Sequence, residues 1–127
     1  MNQFVSRGNT PLSKEAEMPD AILVVTNVPD TDHAKAIARQ LVECRLAACV
    51  NILPGVQSVY QWQGAVEEAG EVTLLIKTVR ARYPEVESAI RSAHPYQVPE
   101  IVALPIEAGL PAYVDWIVQE TRKNIHV

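Results

Sequence analysis

Eight residues, Ala93-His94-Pro95-Tyr96-Gln97-Val98-Pro99-Glu100, gather a histidine, a tyrosine, a glutamine and a glutamate around two prolines. An imidazole, a phenol and a carboxylate can bind a cation, accept a proton or orient a polar ligand. Proline fixes its own φ and biases its predecessor toward extended backbone, so the segment is expected to be a stiff loop that can present a site. The same residues also suit a plain connector that ends a helix and launches a strand.

The histidines are His33, His94 and His126, and none has a second histidine at the two- to four-residue spacing of local metal motifs. His33 is expected in a helix's first turn and His126 on a tail. His94, in the constrained segment, is therefore the candidate metal ligand. One imidazole does not make a site: copper or zinc at His94 requires further donors from distant strands or another subunit.

Lys77 closes the apolar run Val72–Ile76, either as an anion anchor or with its ammonium reaching back to solvent. Tyr60 and Trp62, two residues apart, share a strand face and can line a pocket or meet a neighbouring subunit. Glu67, Glu68 and Glu71 form an acidic group that can attract cations or simply solvate a turn.

Elements must position these side chains. Ala21–Val28 (AILVVTNV) is an almost continuous apolar, β-branched run expected as a central strand. Pro29-Asp30-Thr31-Asp32 supplies turn and N-cap chemistry, and Ala34, Ile37, Ala38, Leu41 and Val42 outline a helix ending near Cys44 or Arg45. Leu46–Trp62 is a second strand that must bend or bulge at Pro54-Gly55. Gln63-Gly64-Ala65 turns the chain into a third strand, Val66–Val79, completing a long hairpin. Arg80–His94 is a second helix with Pro84 in its first turn, Ile101–Ile106 a fourth strand, and a third helix follows from Pro111.

The order βαββαβ plus a C-terminal helix specifies an α+β, ferredoxin-like sandwich: a four-stranded antiparallel sheet with two helices on one face. In that fold's strand order, four-one-three-two, the edges are strands two and four. Those strands carry Pro54 and Pro105, as a proline without an N–H requires. The face left by the two helices would expose apolar side chains, which points to self-association as a homo-oligomer.

The chain has 127 residues, 48% hydrophobic and 20% charged, enough for one domain with its own core. Residues 1–19 are polar and aperiodic and are expected to form a flexible tail, leaving 20–127 as the domain. A net charge of −4 and an isoelectric point near 5.3 argue against nucleic acid as a partner. No apolar stretch approaches the roughly twenty residues of a membrane span, and no signal-peptide pattern opens the chain. Cys44 and Cys49 lack CxxC spacing and are expected as buried or half-buried thiols in a reducing compartment. P-loop, GxGxxG, HExxH and GxSxG motifs are absent, so the chain is read as non-enzymatic, without an organic cofactor.

Several signals stand in order: Arg45–Ile52 (RLAACVNI), Pro54-Gly55-Val56, Ser58, Tyr60, Trp62, Gly64, Ile76-Lys77-Thr78, His94–Glu100 and Tyr113-Val114-Asp115-Trp116. Together, over about residues 21 to 120, they resemble the CutA divalent-cation tolerance family. The resemblance implies a ferredoxin-like protomer, a homotrimer joined through its sheets, a cytoplasmic location and binding of divalent ions, Cu2+ especially, in a response to metal ions without established catalysis. The family's best-known ligand pattern has a cysteine near the end of the first strand and a His-His pair before the Pro-Tyr; Thr26 and Ala93 occupy two of those positions here, leaving His94. The trimer is also similar to small trimeric signalling or adaptor proteins that bind anions or protein partners between subunits. That similarity implies a cleft using Lys77, Tyr96 and Glu100 with His94 at its edge.

Overall fold

A computed structural model describes residues 20–123. The N-terminal tail expected over 1–19, and His126, lie outside the described residues.

The first strand, β1 (Ala21–Val28), alternates sharply. Ile22, Val24, Thr26 and Val28 are sealed on one side, while Leu23, Val25 and Asn27 on the other are half-buried. This period of two is what a strand between two neighbours must show when only one face is fully covered. The first helix, α1 (Thr31–Glu43), starts at Asp30, whose Oδ1 accepts the His33 N–H at 2.8 Å, satisfying one of the free donors of the first turn. Ala34, Ile37 and Leu41 face the core at helical spacing.

The second strand, β2 (Cys49–Trp62), pairs antiparallel with β3 (Ala65–Val79). It starts three residues later than its β-forming composition suggests. The Leu46 and Ala47 N–H groups still bond the Leu41 carbonyl at 2.9 and 3.2 Å, which holds that segment against the end of α1. The register breaks between Leu53 and Val56, at the expected Pro54-Gly55 bend, where Gly55 takes φ +81°. At the hairpin tip Gln63 and Gly64 both have positive φ (52° and 84°), the backbone of a two-residue turn whose twist matches its strands.

A 3-10 turn, Arg80–Arg82, leads into α2 (Tyr83–Ala93), with Pro84 in its first turn and Val86 and Ile90 buried. The last strand, β4 (Ile101–Pro105), is followed by α3 (Pro111–Glu120). The sheet order is β2-β3-β1-β4, all antiparallel, which is the ferredoxin-like arrangement. Pro54 and Pro105 both lie on edge strands, where a missing N–H leaves no interior ladder bond broken.

The core lies between the sheet and α1 and α2, built from Ile22, Val24, Val28, Ile37, Leu41, Leu74, Ile76, Val86 and Ile90. The opposite face is partly covered by α3, whose Tyr113 ring sits 5.8 Å from the Lys77 ammonium. Around α3 that face stays open, with Val102 and Leu104 of β4 about half exposed.

One length relationship sets up the site. β1 pairs with β3 only over Val72–Val79, so Ala65–Glu71 of β3 has β2 as its single partner and the two run on as a ribbon beyond the sheet. The α2–β4 connector enters beside that point of departure, because Ile101 pairs with Thr26 at the same end of β1.

Candidate functional site

The connector folds back over the end of β1 through His94. The α2 helix ends at Ala93, and His94, extended at ψ 134° and 9% exposed, turns its ring inward. Its Nδ1 receives the Tyr96 N–H at 3.2 Å and must be the unprotonated nitrogen, since an amide N–H can only donate. Nε2 therefore carries the hydrogen and donates it to the Asn27 carbonyl at 2.6 Å. The ring is a neutral tautomer fixed by its partners, with the Tyr96 ring 4.7 Å away. A metal at either nitrogen would have to displace one of these bonds. That differs from the free imidazole which ligation by His94 requires.

Asn27 serves several partners. Its carbonyl takes His94, its Nδ2 donates to Glu100 Oε1 at 3.0 Å, and its Oδ1 accepts the Thr73 hydroxyl at 2.6 Å. Across the groove Glu71 accepts from two hydroxyls, Ser58 at 2.7 Å on Oε1 and Tyr96 at 2.9 Å on Oε2. Burial, and then the bond to the Glu71 carboxylate, push the Tyr96 phenol up to about 12. Its proton therefore stays on oxygen throughout the physiological range.

These contacts line an open groove of about 700 Å³ between the connector and the hairpin ribbon. Tyr60, Trp62 and Val59 form its apolar wall, Pro95 to Val98 its rim, and Asn27, Ser58, Glu71 and Glu100 its polar floor. Among the described residues that line it there are two carboxylates and no cationic side chain. Four of the residues expected at a cleft, Tyr60, Trp62, Tyr96 and Glu100, thus come together here.

Lys77 does not join them. Its ammonium bonds Asn51 Oδ1 at 2.6 Å beneath Tyr113, six residues up β3 from Glu71. Asn27 on the groove's floor is paired with Thr73, four residues from Lys77, so at about 3.3 Å per residue Lys77 lies roughly 13 Å along the strand from the groove and does not line it. Of the two thiols, one differs from expectation and the other meets it. Cys44 is exposed because it caps α1 after the apolar stripe has ended at Leu41, and Cys49 is half-buried at the start of β2. Thr26, one of the two positions where the resemblance would have a sulfur or second imidazole donor, is wholly buried on the helix-covered face, turned away from the groove that its neighbour Asn27 lines.

Sequence reasoning missed Asn27 and Thr73, and named Ser58 only as part of the family resemblance. The signal for Asn27 was present: a lone carboxamide inside AILVVTNV has to find partners when the strand is half-buried.

The sequence model of the CutA1 divalent ion tolerance protein family matches residues 22–120. The chain belongs to that family. Among its CutA relatives, the divalent-cation tolerance protein CutA of Thermus thermophilus is 50% identical over 99 residues, covering 78% of this chain and 96% of the relative. The solved structure of the Thermus thermophilus divalent cation tolerance protein superposes with a TM-score of 0.79 at 48% identity, over 80% of this chain and 99% of that one. Protein CutA of Mus musculus is 43% identical over 112 residues, 87% of this chain; the match spans 63% of the mouse protein, less than two thirds of its length. The CutA1 structure from Oryza sativa superposes with a TM-score of 0.80 at 38% identity, covering 84% of this chain and 97% of the other. The CutA1 family is thus named for tolerance of divalent ions, and its solved members share the α+β fold described above.

Proposed function

We propose that this CutA1-family chain is a homotrimeric divalent-cation-binding protein, with copper its preferred ion, and that the groove beside His94 is where the ion binds. The observation that carries this reading is the groove's one-signed charge: Glu71 and Glu100 face it, and among the described residues no lysine, arginine or histidine lines it. Glu71 has a hydroxyl on each oxygen, whereas Glu100 has only its Oε1 held by a described residue. Oε2 of Glu100 is accordingly the available donor, with the Tyr96 oxygen and Glu71 nearby as secondary ones. Among the described residues no three His, Cys, Asp or Glu side chains come together as a complete ligand set. A neighbouring copy, or water, therefore completes the coordination. The preference for copper follows from the general affinity order at nitrogen and oxygen sites, in which Cu2+ stands highest among divalent first-row ions.

The trimer reading draws on the open sheet face. Val102, Leu104, Tyr113 and Trp116 are each between 40% and 48% exposed, and burial against a second copy would take such apolar side chains out of water. We place the protein in the cytoplasm, which suits two free cysteines, one of them at the surface, and we assign it no catalytic activity. A signalling or adaptor trimer is the second reading. Carboxylates in the groove disfavour an anion there, while the 44% exposure of both Tyr60 and Trp62 favours a protein partner.

The test combines native mass spectrometry with calorimetric titration of Cu2+, Zn2+ and Mn2+ into the full chain and into Glu100→Gln. The reading expects a trimeric mass, binding in the order copper above zinc above manganese, and a loss of about tenfold or more in the variant. A monomeric mass, or equal copper affinity in both proteins, would sink it.

A further inference from the structure

We propose that Asn27 and Thr73 are positioning residues for Glu100, and that this two-step hydrogen-bond relay sets the groove's affinity for a divalent cation. This rests on the cation-binding reading of the same groove. The relay has a fixed direction. An ionised Glu100 carboxylate can only accept, so the Asn27 amide must turn its Nδ2 toward Glu100. The amide oxygen then faces Thr73, whose hydroxyl donates at 2.6 Å. Asn27 and Thr73 are directly opposed in the β1–β3 register, so the anchor is built into the sheet rather than into a loop. The Asn27 backbone is held in turn, because its carbonyl receives the His94 Nε2–H at 2.6 Å.

The consequence falls on a residue that the connector alone could not hold. Glu100 is exposed and follows Pro99, so its side chain would otherwise sample several rotamers. The relay ties Oε1 of a groove-lining side chain and leaves Oε2 without a hydrogen-bond partner among the described residues. A ligand carboxylate held in this way loses less entropy when the ion arrives. Partners that orient ligands in this manner change metal affinity by about 10- to 100-fold when removed.

Thr73→Val and Thr73→Ser separate this role from mere packing. Valine keeps the shape and removes the hydroxyl; serine keeps the hydroxyl. Copper titration of the intact chain should show affinity about tenfold weaker for Thr73→Val and for Asn27→Ala, and wild-type affinity for Thr73→Ser. The Asn27 side-chain amide signals in nuclear magnetic resonance should shift on copper-free Thr73→Val and not on Thr73→Ser, with thermal unfolding confirming that each variant is folded. If Thr73→Val binds copper as tightly as the wild type while Glu100→Gln does not bind, the relay is wrong and the groove reading stands. If the wild type itself binds no divalent ion, both fall together.

Discussion

His94 donates its Nε2–H to the carbonyl oxygen of Asn27 across 2.6 Å, and this bond fastens the α2–β4 connector to the end of the central strand. The ring's other nitrogen takes the Tyr96 N–H, so one side chain satisfies both a strand carbonyl and a loop amide. Local sequence makes it a helix terminator and tertiary structure makes it a latch. The groove's rim depends on that latch, because Tyr96 and Glu100 are carried by the segment it holds.

Replacing His94 by alanine should therefore act on stability as well as on the groove. Leaving a buried carbonyl without its donor costs about 1 to 3 kcal/mol. Urea unfolding should show a loss in that range, and hydrogen exchange at the Tyr96 amide should quicken. His94→Gln, which can still present an N–H, should recover part of the stability. Unchanged unfolding and unchanged Tyr96 exchange in His94→Ala would mean that the latch contributes nothing.

Tyr96 offers a test by pH. Its phenol is raised from the ordinary 10 to about 12 by burial first and by its bond to Glu71 second. A raised folded-state pKa favours the protonated form, so the stabilisation is complete below about pH 10 and is lost as pH climbs through 12. The difference in phenolate absorbance between wild type and Tyr96→Phe should have its midpoint near 12. In Glu71→Gln the midpoint should fall, yet stay above the ordinary value because burial remains. A wild-type midpoint near 10 would contradict the contact.

Much of this arrangement was legible in the residues, for reasons that can be named. Pro54 and Pro105 marked the edge strands because a missing N–H has a topological consequence. The almost continuous apolar, β-branched run Ala21–Val28 marked a strand, and Asp30 marked a helix start. That Lys77 stands apart from this groove was not legible, because distance along a strand becomes distance in space only once the register is known. That register sets Asn27 opposite Thr73, and it carries Lys77 away to Asn51 and Tyr113. The ring of His94 faced the same limit. Residue type shows that imidazole can bind a metal, whereas which atoms already hold its two nitrogens is a tertiary fact.

Thr26 should be improvable. Its side chain is fully buried and its Oγ1 has no hydrogen-bond partner among the described residues, so the hydroxyl was desolvated without compensation. Valine has the same branched shape, suits a strand and removes the unsatisfied group. Thr26→Val is expected to raise stability by about 1 kcal/mol, read as a higher urea midpoint at unchanged slope. A lower midpoint would show that the hydroxyl has a partner after all, such as an internal water.

Arg45 should report on how the C-terminal helix is held. The residue sits at φ 59° just after α1, a left-handed backbone that arginine adopts at a cost. Its Nη2 donates to the Gln119 carbonyl at 3.0 Å, which also accepts the Arg122 N–H at 3.4 Å, and its Nε donates to the Arg122 carbonyl at 3.5 Å, just past the end of α3. Its own carbonyl accepts from Arg82 Nη2 at 3.3 Å, which draws in the start of α2. Arg45→Ala removes the guanidinium and keeps the strained backbone; Arg45→Gly removes both. Hydrogen exchange in the last turn of α3 should quicken in the two variants alike, since both lose the same donors. Arg45→Gly should nevertheless be more stable than Arg45→Ala by about 0.5 to 1 kcal/mol, because glycine adopts positive φ without a clash. Equal stabilities would place no strain at this residue, and unaltered exchange in α3 would mean that packing through Ile117, not the guanidinium, holds the helix in place.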